Sequence, residues 1–448
     1  MRPLVVLETD LSYRAYPAEN VGGVITVPGD KSISHRALML GAAAEGDTQI
    51  EGILKAGDCF STWAALEEMG VSIEGDSDGS VVVHGVGLQG FKPPSAPLDL
   101  GNSGTAIRLL TGLLAPQSFD VVLTGDESLR KRPMDRVVVP LRAMGADVET
   151  QDGCPPISIK GVGSLIGVSH RLTLASAQVK SALLLAGLSA RGYTTIQSSA
   201  VTRDHTEQIL KSMGIRLSVG SGYKVGFEGP VRPKGTRISV PGDFSSAAFF
   251  LVAGCLASES GLLIRNVGVN PSRIGLITIL RAMGAQIEIR DTRAYNTEPV
   301  ADIEIKKSAL HGIDVPQELV PLSIDELPAL FVAAACADGK TVVHAAEELR
   351  HKESDRLRVM ATGLKTLGAI VTEQPDGLTI QGGALGGGKV DSCHDHRVAM
   401  AFSMASVAAA GPIDILNTAE VATSFPGFLE TAALAGLKVE STMSKRDG

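Results

Sequence analysis

The sequence predicts an α/β protein of two similar domains, and two observations carry that expectation. One is a helix-Gly-strand pattern that recurs six times. Its copies include Leu66-Glu-Glu-Met-Gly70-Val-Ser-Ile, Leu141-Arg-Ala-Met-Gly145-Ala-Asp-Val, Leu210-Lys-Ser-Met-Gly214-Ile-Arg-Leu and Leu280-Arg-Ala-Met-Gly284-Ala-Gln-Ile, followed by Leu364-Lys-Thr-Leu-Gly368-Ala-Ile-Val and a looser copy around Gly436. The glycines are 75, 69, 70, 84 and 68 residues apart. Each reads as the residue that ends a helix in the left-handed region and releases the chain into a strand. Six units of about 70 residues are therefore the building module. The second observation is a longer echo. Val27-Pro-Gly-Asp30-Lys-Ser returns as Val240-Pro-Gly-Asp243-Phe-Ser, each at a strand-to-helix junction, which predicts two halves of three units.

The echo sets the expected boundaries: residues 29–240 form one domain, and 1–28 plus 241–448 the other, with hinges near 28 and 241. A ligand is expected in the cleft between such halves, where small-molecule sites are favoured.

Composition narrows the function classes. Hydrophobic residues make up 44% and charged residues 20% of the 448, as in ordinary globular proteins. Formal charge is −8 and Trp63 is the only tryptophan, so neither the overall field nor stacking platforms favour nucleic acid. An anionic ligand must be held by local clusters of Lys and Arg. The five cysteines are scattered singly, which argues against disulfides and structural zinc and fits a reducing cytosol. Acids at Glu8 and Asp10 and a short apolar run do not make a signal peptide, and the longest apolar stretches fall short of a membrane span.

Along the chain, Lys31, Ser32, Ser34 and Arg36 begin the first predicted helix, with Ser32 or Ser34 as its expected cap. Two cations at a helix start are disfavoured unless an anion lies between them; two solvated surface cations are the plain alternative. Gly101-Asn-Ser-Gly104-Thr105 allows close backbone approach, with Thr105 able to cap the next helix, but it is not a P-loop. Arg130, Lys131 and Arg132 precede Pro133, and Ser176-Ala177-Gln178 offers neutral hydrogen bonders to a polyol or to simple packing. Thr202-Arg203-Asp204-His205 is another polar helix start. Asp325 and Glu326 stand ahead of an apolar helix, where acids complement the dipole or act as a general base. If 349–358 is helical, Lys352 and Arg356 share a face and repel unless an anion joins them, beside Glu353. His394 and His396 flank Asp395 without further ligands nearby, so Arg397 is the more informative neighbour.

Together these motifs resemble the 5-enolpyruvylshikimate-3-phosphate synthase family from about residue 21 to 430: Gly29-Asp-Lys-Ser-Ile-Ser-His-Arg36, Gly101-Asn-Ser-Gly-Thr105, Arg132-Pro-Met134, Ala175-Ser-Ala-Gln178, Lys352-Glu-Ser-Asp-Arg356 and Asp395-His-Arg397. The resemblance implies two domains of three βαβαββ units. It implies transfer of the enolpyruvyl group of phosphoenolpyruvate to the 5-hydroxyl of shikimate 3-phosphate, on the shikimate pathway to chorismate and aromatic amino acids, without metal or organic cofactor. The implied enzyme is a cytoplasmic monomer that closes on its two small substrates, touches neither nucleic acid nor membrane, and is a glyphosate target.

Carried over, Lys31, Ser32, Arg36, Ser176, Ala177, Gln178 and Arg203 hold shikimate 3-phosphate. Lys31, Gly104, Arg132, Gln178, Arg356 and Arg397 hold phosphoenolpyruvate. Asp325 is the base on the 5-hydroxyl, assisted by Lys352, and Glu353 the acid. Some members carry a Lys before Phe-Pro in the last motif, where this chain runs Thr423-Ser424-Phe425-Pro426. Arg203 matches the subgroup that contains herbicide-tolerant enzymes, whereas Gly104 leaves room where tolerant members can have Ala. The rivals are a UDP-N-acetylglucosamine enolpyruvyl transferase, which uses a loop Cys that this chain lacks beside an Arg-rich loop, and a non-catalytic α/β repeat scaffold.

Overall fold

The computed structural model describes residues 11–18, 20–75 and 80–443, so the acidic N-terminal stretch 1–10 lies outside them. The six repeat glycines all take positive φ: 84° at Gly70, 91° at Gly145, 87° at Gly214, 100° at Gly284, 92° at Gly368 and 83° at Gly436. Each one stops a helix in a conformation that costs a side chain strain. The periodic glycines are therefore the physical origin of the module.

The chain divides into two compact units, one of Gly29–Val240 with Ala294–Glu298, the other of Met1–Pro28, Pro241–Arg293 and Pro299–Gly448. In the Gly29–Val240 unit the helices are α1 Lys31–Ala43, α2 Gly57–Glu68, α3 Gly104–Leu114, α4 Asp135–Ala143, α5 Ala177–Gly187 and α6 His205–Ser212. Its three four-stranded sheets repeat one design. In the first, Arg237–Ser239 runs parallel to Glu45–Glu51, which pairs antiparallel with Val81–Val86, and that with Ser72–Gly75. The second has Leu98–Asp99, Val121–Thr124, Cys154–Lys160 and Asp147–Gln151 in that order, and the third Ser169–Arg171, Gly192–Gln197, Lys224–Gly229 and Ser218–Gly220. Strand Cys154–Lys160 buries Pro155, Ile157 and Ile159 in strict alternation, as a sheet with one wet face should.

In the other unit the helices are α7 Phe244–Ala257, α8 Gly275–Ala282, α9 Leu327–Cys336, α10 Arg356–Thr366, α11 His396–Ala405 and α12 Phe428–Leu434. Its sheets need both ends of the chain. Gly23–Thr26 lies parallel to Leu262–Gly268, and Leu11–Ala15 lies between Ile413–Leu416 and Val439–Met443. The remaining sheet is three-stranded, Lys340–Val343, Gly377–Gln381 and Ile370–Gln374, with a parallel bridge from Asp314 to Val342 in the place of a fourth strand.

Each unit has its own apolar core. One gathers Leu38, Leu109, Leu110 and Leu184 from α1, α3 and α5; the other gathers Phe249, Phe250, Phe331 and Phe402 from α7, α9 and α11. These helices are buried on nearly every face because each is enclosed by its own unit. Among the described residues, no helix is long and apolar enough to cross a membrane.

Candidate active site

Local chemistry at helix starts sets the site. Asp30, rather than Ser32 or Ser34, caps α1 by accepting from the Ile33 N–H at 2.9 Å. The serine expectation fails because the helix begins at Lys31, ahead of both serines; Ser34 is buried and accepts from the Leu54 N–H instead. Likewise Ser103, not Thr105, caps α3, which leaves Thr105 Oγ1 to accept from Gln178 Nε2 at 3.0 Å. Ser176 caps α5, so Ala177 and Gln178 fall on its first turn.

In the Gly29–Val240 unit, Lys31 Nζ forms an ion pair with the buried Asp58 Oδ2. Arg36 is almost wholly buried and donates to Thr206 Oγ1 at 2.7 Å, the Ser32 carbonyl at 2.8 Å and Ser181 Oγ at 2.8 Å. Those bonds use three of its five N–H groups. Burial pushes its pKa down to about 10, with the nearby Glu207 and Asp30 charges opposing and Arg203 adding to the fall. Arg203 stands on the loop before α6, within the electrostatic reach of Arg36. Behind that loop, Lys180 pairs with Glu207 at 2.6 Å and His205 with Glu298 at 2.6 Å, all four buried.

Within this unit, Gly104, Arg132 and Gln178 are drawn together. Arg132 Nη2 donates to Asn102 Oδ1 at 2.5 Å. A Cβ at Gly104 would stand 2.9 Å from Arg108 Nη1 and 3.0 Å from Arg132 Nη1, so glycine there lets two guanidinium groups close on the helix start. Arg108 and Asp58 are absent from the set to which the sequence points. Arg108 is buried and joins three motifs, donating to the Gly104 carbonyl at 3.1 Å, Gln178 Oε1 at 2.9 Å and the Pro133 carbonyl at 3.3 Å. Its spacing of four from Gly104 was the available signal.

In the second unit, Asp325 and Glu353 meet Arg356, which is fully buried, while Lys352 and Arg397 join them through Asp325. Its Nε donates to Asp395 Oδ2 at 2.8 Å and its Nη2 to Glu353 Oε2 at 2.6 Å, while Nη1 lies 3.5 Å from Asp325 Oδ1. Lys352 Nζ is 3.4 Å from the same Asp325 oxygen. Arg397 Nη1 donates to the Asp325 carbonyl at 3.0 Å. Lys352 and Arg356 do not share a helix face: Glu347–His351 is a short 3-10 turn, and α10 starts only at Arg356, capped by Asp355. What relieves their charge is the set of carboxylates between and beside them. Burial alone would lower the pKa of Arg356, but Asp395 and Glu353 more than reverse it and hold it above the usual arginine range. Burial would raise Asp395, and Arg356 outweighs that, holding its carboxyl low. Among the described residues no group of three or more His, Cys, Asp or Glu is placed to hold a metal.

Three comparisons bear on the class. The fold is shared with the enolpyruvyl transferase NikO from Streptomyces tendae, with a TM-score of 0.81 over 98% of this chain and 100% of that one; 16% identity carries the fold alone. The structure of EPSP synthase from Acinetobacter baumannii superposes with a TM-score of 0.86 at 48% identity, covering 96% of this chain and 100% of that one. The family model described as EPSP synthase (3-phosphoshikimate 1-carboxyvinyltransferase) matches residues 16–432. The 3-phosphoshikimate 1-carboxyvinyltransferase of Methylococcus capsulatus is 53% identical over 97% of this chain and 99% of its own. That of Nitrosococcus oceani is 54% identical over 98% and 99%. The chain belongs to the EPSP synthase family.

Proposed function

We propose that this chain transfers the enolpyruvyl group of phosphoenolpyruvate to the 5-hydroxyl of shikimate 3-phosphate and releases phosphate. The observation that carries the reading is the carboxylate of Asp325 lying beside Lys352 and Arg356, with Glu353 on the same guanidinium. Addition across the double bond of an enol phosphate needs a base on the attacking hydroxyl and an acid on the methylene carbon, and this cluster offers a candidate for each.

Asp325 takes the proton of the 5-hydroxyl, whose oxygen bonds to C2 of phosphoenolpyruvate while Glu353 protonates C3. Loss of a C3 proton and departure of phosphate then restore the double bond. Lys352 and Arg356 place two cations against the Asp325 carboxyl group. Lys31, Ser32, Arg36, Ser176, Ala177, Gln178 and Arg203 would hold shikimate 3-phosphate. Lys31, Gly104, Arg132, Gln178, Arg356 and Arg397 would hold phosphoenolpyruvate, with Arg108 aligning Gly104 and Gln178 by the hydrogen bonds above. Both substrates are multiply charged anions, and the protein is itself anionic, so these cations must supply the attraction locally. The two units would act as domains hinged near residues 28 and 241. A cytoplasmic monomer is the finer part of the proposal; the five free cysteines support a reducing compartment.

Phosphate release is the test. Shikimate 3-phosphate with phosphoenolpyruvate gives turnover, and UDP-N-acetylglucosamine in place of the first gives none; the opposite result overturns the reading. Glu353→Gln retains substrate binding by fluorescence or calorimetry and loses at least about a hundredfold in kcat. Unchanged turnover removes Glu353 from the acid role.

A further inference from the structure

Beneath Asp325 lies a buried charged network that no step above uses. Glu326 stands directly after Asp325 at the residue before α9, makes no side-chain capping bond and is fully buried. Ser245, on the first turn of α7, donates its hydroxyl to Glu326 Oε1. Arg273, 3% exposed, donates from Nη2 to Ser245 Oγ at 2.9 Å and to Asp243 Oδ1 at 3.0 Å, and its Nη1 lies 3.6 Å from Glu326 Oε1. Asp243 also caps α7 by accepting from the Ser245 N–H at 2.8 Å. One guanidinium thus ties the starts of α7 and α9 together. It also stands between two buried carboxyl groups, those of Asp243 and Glu326.

We propose that Arg273 is a positioning residue for Asp325, acting through Ser245 and Glu326: it fixes the start of α9 and sets the charge behind the base. The proposal rests on the reading of Asp325 as the base. A buried arginine with two carboxylates is a poor way to gain stability alone, since apolar residues of equal volume usually do as well. Its partner Glu326 stands one residue from the base, and that gives the arginine a different use. A 1 Å displacement of a catalytic group can cost on the order of a hundredfold in rate. The carboxyl group of Glu326 is also buried directly behind the base in sequence, where any charge change is little screened by water. The groups facing Asp325 are Lys352, Arg356 and Arg397, with Glu348 behind Lys352; those facing Glu326 are Arg273 and, through Ser245, Asp243. A change at Arg273 or Glu326 leaves the first set intact.

The test is the pH profile of kcat for the full chain with shikimate 3-phosphate and phosphoenolpyruvate, with KM for both and a thermal melt. Glu326→Gln removes a negative charge behind the base and moves the acid limb to lower pH by about half a unit. Arg273→Met removes the compensating cation and moves it upward by a similar amount. Ser245→Ala, which leaves every charge in place, lowers kcat about tenfold with both KM values within about twofold. Arg273→Lys recovers most of the loss seen in Arg273→Met. Should Arg273→Met fail to fold, the shift in Glu326→Gln and the kcat-only loss in Ser245→Ala decide the matter. An acid limb that stays in place in Glu326→Gln, or KM rising in step with falling kcat in Ser245→Ala, overturns the proposal. Asp325→Asn separates the two readings. If it keeps its turnover, the base assignment fails; if it is inactive while the acid limb stays fixed in the network variants, only the positioning role fails.

Discussion

The starts of α1 and α7 are the same local structure carrying different loads. Asp30 and Asp243 cap them with nearly equal backbone angles, φ −59° and ψ 119° against φ −68° and ψ 120°. Each is preceded by a glycine that close packing requires. A Cβ at Gly29 would fall 1.9 Å from the Gly52 carbonyl oxygen, and one at Gly242 2.9 Å from Val27 Cγ2. Beyond the cap the two diverge. Lys31, His35 and Arg36 of α1 face Phe244, Ala248 and Phe249 at the matching places of α7, each of these three at most 1% exposed. The duplicated element is the scaffold: one copy carries the cations proposed to bind substrate, and the other carries apolar core residues. A helix start with a fixed cap presents its first two turns in a fixed direction, so function or packing can be chosen by side chain alone.

The sharpest way to break this comparison is to exchange the loads. Phe244→Lys places an ammonium where 1% of the residue is exposed, which costs several kcal/mol and most of a typical domain's stability. The circular dichroism melt then collapses. Lys31→Met lowers kcat/KM by at least about a hundredfold. It also leaves Asp58 buried without its cation, a cost of about 3 kcal/mol. The double variant Lys31→Met with Asp58→Asn recovers the stability and not the activity. Recovery of both would mean that Lys31 is there only to pair with Asp58.

A smaller effect separates the two caps. Asp30→Ala loses a cap, about 1 kcal/mol. Asp243→Ala loses the same cap and one of the buried carboxylates that Arg273 holds, so about 3 kcal/mol is expected. Urea midpoints of the two variants measure the difference. Equal values would show that Arg273 re-pairs within the second unit at no cost.

The halves of the fold differ in the same way in how far the sequence foretells them. The repeat is legible because each unit ends on a residue whose backbone angle is a local requirement, and Gly70 and its five counterparts announce it. The echo at 240–246 is legible because a Pro-Gly-Asp junction is also local. The pairing of Leu11–Ala15 with strands about 400 residues away leaves no periodic trace, since only the final topology brings them together. In the site, the named cations are recognised by motif. Their partners Asp58, Arg108 and Arg273 are not, because each acts on a residue 27 or more positions distant or through a side chain outside any motif. The misread stretch at 349–358 has a physical cause: charge spacing alone suits a helix, but Asp355 caps a new one at Arg356 and cuts the stretch in two.

His35 offers the finest test, since its counterpart Ala248 cannot titrate. It is fully buried, with Nδ1 2.8 Å from Thr62 Oγ1 and Nε2 3.3 Å from Ser103 Oγ, the cap of α3. Burial, then the neighbouring Lys31 and Arg36 charges, push its pKa down to about 3, with Asp30 only partly opposing. The folded protein therefore keeps His35 neutral where the unfolded chain, titrating near 6.5, takes up a proton. Such a depressed histidine leaves stability intact above about pH 6.5 and drains it as the pH falls toward 3. At one proton per molecule the loss between pH 7 and pH 5 is about 2 kcal/mol. His35→Gln keeps a hydrogen-bonding amide and removes the proton. Its urea midpoint should lie below that of the parent at pH 7, with the gap narrowing by about that amount at pH 5. A gap independent of pH would mean that the imidazole already reaches solvent or carries its proton in the folded state, and the neutral link between α1, α2 and the cap of α3 would have to be given up.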